Sequence, residues 1–122
     1  MATIKSYTDL EQSKKLAEIL SLDSADMHYS KDFDGSWFVG LAEYISVKIP
    51  KYVGNIEEHL LPCWSLAALL SVVPEEVSLN SFKDGNWNAM VQQNGKMIYS
   101  DANNSVDACY ELILKLHEQN LI

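Results

Sequence analysis

Arginine is absent from this 122-residue chain. All nine basic residues are lysine, they face 17 aspartates and glutamates, and the formal net charge is −8. Arginine is the side chain that grips phosphates, carboxylates and guanine edges with a planar fork. Its absence, with an acidic balance, argues against binding of DNA, RNA or polyphosphates by the common electrostatic route. The same balance disfavours an anionic membrane surface. The expected partners therefore include no nucleic acid and no membrane.

Cysteine is nearly as scarce. Cys63 and Cys109 are the only two, they lie far apart, and both fall in apolar patterns. They form neither a disulfide framework nor a CxxC metal site. Free, buried thiols in a reducing compartment are the expectation. Five glycines are too scattered for a phosphate cradle. No long hydrophobic run is present: the longest, around Leu66 to Val73, is far short of a membrane span. The start, MATIKSYTDLEQSKK, lacks the apolar stretch of a signal peptide. These features point to a cytoplasmic protein.

What the chain does have is ordinary globular material. A hydrophobic fraction of 48% suffices for one core, and the length suits a single domain over residues 1–122. No internal repeat or linker is visible.

Thr8 with Glu11 three residues on reads as a capping box opening a helix from about Asp9 to Ser21. Residues 22–58 carry weaker signals. Tyr44 to Ile49 alternates strictly, so Ile45, Val47 and Ile49 share one strand face. Trp37-Phe38-Val39 and Met27-His28-Tyr29 are two further strand candidates. A second helix is expected from Leu61 or Pro62 to Val73, apolar on nearly all sides and hence central and buried. Pro74 stops it. Val77–Phe82, Trp87–Gln93 and Lys96–Ser100 read as an antiparallel meander, with Asp84-Gly85 and Asn94-Gly95 in its turns. Trp87, Ala89 and Val91 alternate onto one face, which leaves the other face wet. The last helix is expected from Val106 to Asn120, capped by Asn104 or Ser105. Its stripe is Val106, Cys109, Ile113 and Leu116, and Glu111–Lys115 forms an i,i+4 pair on its polar side. The fold class is α+β: three helices on one face of a small antiparallel sheet that includes the meander.

Three blocks carry a family likeness. Leu61-Pro62-Cys63-Trp64-Ser65-Leu66-Ala67-Ala68-Leu69-Leu70, ending at Pro74, resembles a segment of small uncharacterised proteins of gut Bacteroidetes and their mobile elements. Asp9 to Leu20 with Ser24-Ala25-Asp26-Met27, and Val106 to Glu118, resemble the same group. The blocks cover roughly a third of the chain and coincide with the expected helical core. The likeness implies no activity, since the group has none established.

Cys63 is the one candidate nucleophile. The expected helix N-terminus would lower a thiol's pKa, and Cys63-Trp64 opening an apolar helix is similar to the nucleophile segment of papain-like cysteine proteases. Such a mechanism needs a base within hydrogen-bond reach and a third group to orient it. In that family the histidine follows the cysteine and lies on the sheet. Here only His117 follows, inside a helical pattern. The flanking glycines and glutamine of the papain signature are missing too. Cys63 is therefore expected to be a packed core residue.

His28, His59 and His117 show no metal-binding spacing, so neither metal nor cofactor is expected. Asp32-Phe33-Asp34-Gly35 lacks the final glutamate of a calcium loop and reads as a solvated turn. Glu57/Glu58 and Glu75/Glu76 lie in loops or at helix edges.

The aromatics Trp37, Tyr52, Trp87 and Tyr99 fall in or near strands and are the candidate contact residues for a partner, because such side chains dominate interface energetics. The expected function is that of a non-catalytic accessory or protein-interaction domain, binding another protein or itself. The alternatives are a cysteine hydrolase built on Cys63 and an acidic nucleic-acid mimic that inhibits a DNA- or RNA-binding protein.

Overall fold

A computed structural model describes residues 4–31, 34–41 and 60–122. The chain is α+β, with three α-helices and two three-stranded antiparallel sheets among the described residues.

Helix α1 spans Leu10–Ile19, one residue later than the predicted capping box implies. Asp9 is the N-cap: its carboxylate accepts from the Gln12 amide at 2.8 Å, and the Gln12 side chain accepts from the Asp9 N–H at 3.1 Å. Thr8 does not cap because its hydroxyl is used inside the protein. Its Oγ1 lies 2.8 Å from Ser13 Oγ and accepts from the Trp64 N–H at 3.2 Å.

The first sheet has the order β2-β1-β3, built from β1 (Met27–Lys31), β2 (Trp37–Leu41) and β3 (Leu60–Cys63). The two strand candidates at Met27 and Trp37 are thus present, joined by a turn in which the Asp34 carboxylate accepts from the Ser36 N–H at 2.9 Å. The predicted strand Tyr44–Ile49, with Tyr52, His59 and Glu57/Glu58, lies outside the described residues.

At Leu61 the expected helix gives way to a strand. β3 pairs with β1, setting Cys63 opposite Met27 and Pro62 opposite His28. Helix α2 begins only at Leu66, capped by Ser65, and ends at Val72. The Pro62 signal for a first helical turn misleads because β3 is an edge strand among the described residues, where proline's missing N–H is also tolerated. A short apolar run with no alternation cannot distinguish the two.

The meander forms a sheet of its own, β4 (Ser78–Ser81), β5 (Trp87–Gln93) and β6 (Lys96–Ala102), in the order β4-β5-β6. The expected single sheet is therefore divided in two. The turn between β5 and β6 places both Asn94 (φ 53°) and Gly95 (φ 75°) at positive φ, the pairing that suits a two-residue hairpin. Helix α3 (Ser105–Glu118) follows, with Asn104 accepting from the Asp107 N–H at 2.8 Å.

The core lies between α3, α2, α1 and the inner face of the second sheet. Ala89, Val91 and Ile98 from the sheet meet Val106, Cys109, Leu112, Ile113 and Leu116 from α3, with Leu69, Trp64 and Leu16. Trp64 is fully buried, and its indole N–H donates to Ser24 Oγ at 2.9 Å. Of the described helices the most buried is α3, not α2. On α2, Leu69, Ala68 and Val73 beside its end are buried, Leu66 and Leu70 are half-buried, and Ala67 and Ser71 face solvent.

Candidate functional site

Cys63 does not stand at a helix N-terminus. It ends β3 with 0% exposure, and its neighbours are hydroxyls. The sulfur lies 3.7 Å from Thr8 Oγ1 and 3.5 Å from the Thr8 carbonyl oxygen, to which it donates. Tyr29 donates to the same carbonyl at 2.7 Å. Burial pushes the Cys63 thiol above its ordinary pKa, and hydrogen bonds from Thr8 and Ser13 offset that only in part. A nucleophilic cysteine needs the reverse, an accessible and stabilised thiolate.

Neither histidine among the described residues serves it. His28 is next to Met27 on β1, so strand alternation sends its ring to the opposite face from Cys63. Its Nδ1 is buried without a hydrogen-bond partner, and burial lowers its pKa. His117 is exposed in the last turn of α3. Cys109 is a second buried, free thiol, pushed up to about 11 by desolvation. Among the described residues no three His, Cys, Asp or Glu side chains converge as a metal site requires. No helix among them is long and apolar enough to cross a membrane.

The candidate contact aromatics do not converge. Trp37 is on β2, half-buried, with Lys31 Nζ 5.8 Å from its ring centroid. Trp87 on β5 pairs with Ala102 on β6 and packs partly against the core. Tyr52 lies outside the described residues. Tyr99 alone stands on an open face, 50% exposed.

That open face is built by the meander's register. Met90 on β5 is paired with Ser78 on β4 and Tyr99 on β6, while Asn88 is paired with Asn80 and Asp101, and Gln92 with Met97. Directly paired residues project to the same side, so Met90, Met97 and Tyr99 share one outer surface edged by amides and Asp101. Met97 is 52% exposed. Sequence alternation already assigned Trp87, Ala89 and Val91 inward, which turns Met90 outward. The contribution of Met97 was missed because its apolarity suggests a core.

Among the described residues β6 is also an edge strand. The Asn94-Gly95 turn makes Gln93–Lys96 a hydrogen-bonded pair, so the backbone groups of Met97, Tyr99 and Asp101 point away from β5. One is covered. Lys115 Nζ donates to the Tyr99 carbonyl at 2.6 Å and stands 5.5 Å from the Tyr99 ring centroid. The predicted Glu111–Lys115 ion pair is not formed, because Lys115 reaches the strand instead.

Beside the end of β6, a cleft of about 360 Å³ opens toward α3, lined by Gln12, Ser100, Asp101, Asp107, Glu111 and Lys115 among others. A second, of about 450 Å³, shares Asp101, Ala102 and Asn103 with it and continues past Phe82 and Asp84. Asp107 at the first cleft is held firmly. It accepts from Lys5 Nζ and Gln12 Nε2, each at 2.7 Å, and from Asn104 Nδ2 at 2.8 Å. Burial alone would raise its pKa, but these donors outweigh it and hold the carboxyl below its usual range.

No family model matches the chain, and no curated protein or solved structure is significantly similar to it.

Proposed function

We propose that this protein is a non-catalytic protein-binding domain, and that the outer face of the β4-β5-β6 meander is its contact surface. The observation that carries this reading is the shared exposure of Met97 and Tyr99 on one side of a sheet whose other side is packed against α3. A sheet with a wet face normally lines it with polar side chains. Here thioethers and a phenol stand among Asn80, Asn88, Gln92 and Asp101. Methionine and tyrosine are enriched at interface centres, and amides suit a hydrogen-bonding rim. Methionine further adapts its shape to a partner at low cost.

The cysteine-hydrolase alternative is weakened by the burial of Cys63 and the hydroxyls around it. The nucleic-acid-mimic alternative would place its partner on a carboxylate face rather than on the outer face of the meander, which carries one carboxylate, Asp101.

The reading is tested by quantitative affinity capture from cells of the source organism. Wild type is compared with the Met97→Ser, Tyr99→Ser double variant and with Cys63→Ser. Partners retained by wild type and by Cys63→Ser should be lost by the double variant. Equal capture by all three would move the contact surface elsewhere.

A further inference from the structure

The two clefts that meet at Asp101 form one groove beside the end of β6, and its chemistry is one-sided. Asp84, Asp101 and Glu111 have no cationic partner among the described residues: Asp101 accepts from Asn88 Nδ2, Asp84 from Asn86, and Glu111 from neither. Two nearby cations are committed, Lys5 to Asp107 and Asp9, and Lys115 to the Tyr99 carbonyl, while Lys83, next to Asp84 in the turn, forms no ion pair with it. Each committed cation is an ammonium group held beside this groove, Lys5 by two carboxylates and Lys115 by an edge carbonyl.

Ser100 adds an independent observation. It lines the cleft, is 3% exposed, and its Oγ has no hydrogen-bond partner. Paired with Ala89, its side chain lies on the α3 side of β6, the side on which the cleft opens. A buried hydroxyl is normally satisfied, so this one is unmatched in the isolated chain. Alongside it, the outward N–H and C=O groups of Asp101 and the N–H of Tyr99 offer a template for a further strand.

We infer that this groove takes an extended, lysine- or arginine-bearing segment of a partner protein, added as a strand to the edge of β6, with its cationic side chains on Asp101, Glu111 and Asp84. Alternate residues of an added strand point to the same side. One set would then lie on the outer face, against Asp101 and beside Met97 and Tyr99, while the other would face Ser100 and Glu111 on the α3 side. A second copy of this chain is the less suitable occupant, because each carries a net charge of −8. Lys115 acts as the gate: its ammonium occupies the Tyr99 carbonyl until a partner donor replaces it. This inference rests on the proposed contact face and names the partner chemistry that the neighbouring edge recognises.

The test is selection of a phage-displayed random heptapeptide library on the full-length protein, repeated on Asp101→Asn with Glu111→Gln and on Met97→Ser with Tyr99→Ser. Both double variants must retain the wild-type circular dichroism spectrum. The expected peptides are enriched in Lys and Arg. They should perturb the backbone amide resonances of Tyr99 and Asp101, weaken at least tenfold on the carboxylate variant, and elute with salt. Neutral or acidic peptides that bind the carboxylate variant equally well, yet are lost on Met97→Ser with Tyr99→Ser, would overturn the basic-strand inference while supporting the contact face. Basic peptides lost only on the carboxylate variant would support the groove and count against the face. Recovery of nothing above background on wild type would overturn the groove.

Discussion

Lys115 Nζ, near the end of α3, donates to the main-chain carbonyl of Tyr99 at 2.6 Å and stands over the face of the same residue's ring. One side chain thereby joins the last helix to an edge strand sixteen positions earlier. It also places a charge on an edge that would otherwise present an unpaired carbonyl, a common way of discouraging unwanted strand pairing. Lys115→Ala should cost about 0.5–1 kcal/mol, the scale of an exposed charged hydrogen bond with a weak cation–π contact. It should also raise concentration-dependent self-association. Glu111→Gln should change stability by less than about 0.5 kcal/mol, since its expected partner is engaged elsewhere. Chemical denaturation and sedimentation velocity check both.

The core is graded along α2. Leu69 is fully buried whereas Leu70, its neighbour in sequence, is only partly covered. Leu69→Ala should cost roughly 2–5 kcal/mol through lost transfer energy and a residual cavity. Leu70→Ala should cost distinctly less. Urea titrations giving equal losses would mean that α2 packs differently from the arrangement described.

Both thiols should be inert. Desolvation raises the pKa of each, so little thiolate exists near neutral pH and neither sulfur is accessible. Iodoacetamide at pH 7 should label Cys63 and Cys109 only as fast as the protein opens, and both rapidly in denaturant. The unreduced, denatured protein should show the mass of two free thiols. Selective fast labelling of Cys63 at pH 6 would revive the hydrolase reading.

Asp107 ties three segments together through Lys5, Gln12 and Asn104. Its folded pKa lies below its unfolded value. The linked stability is therefore present above the unfolded carboxylate pKa of about 3.9 and lost as pH falls through the lower, folded one. Lys5 has the opposite sign: its pKa is raised by Asp107 and Asp9 against the opposing effect of burial, and its contribution disappears only as pH rises through that raised value. Asp107→Asn should lower stability at pH 7 and flatten the loss between about pH 4 and pH 2. Thermal melts across that range provide the check, and parallel acid curves for the two proteins would remove Asp107 from its assigned role.

Much of the second half of the fold is legible in the sequence because its signals are local. Asn94-Gly95 names a hairpin turn, strict alternation sorts the faces of β5, and Val106, Cys109, Ile113 and Leu116 mark one side of α3, all of them buried. Illegible features depend on distant partners. Thr8 looks like a helix cap until the Trp64 N–H and Ser13 claim its hydroxyl. Leu60–Cys63 merges into the apolar stretch of α2, and only its pairing with β1 makes it a strand. Glu111 and Lys115 look like an ion pair, yet the strand beside α3 offers Lys115 a carbonyl and a ring. The proposed contact face was half visible: Tyr99 was among the candidates and the alternation of β5 turns Met90 outward, whereas Met97 joins it only through sheet register.

The most direct measurement is site-specific photocrosslinking in cells of the source organism, with a photoreactive residue at Met97 on the meander or at Glu18 on the exposed side of α1. The expected result is discrete, heavier adducts from position 97, abolished by adding Tyr99→Ser and Met90→Ser, with only a diffuse background from position 18. Adducts of equal number and intensity at the two positions would contradict the assignment of the meander's outer face as the binding surface.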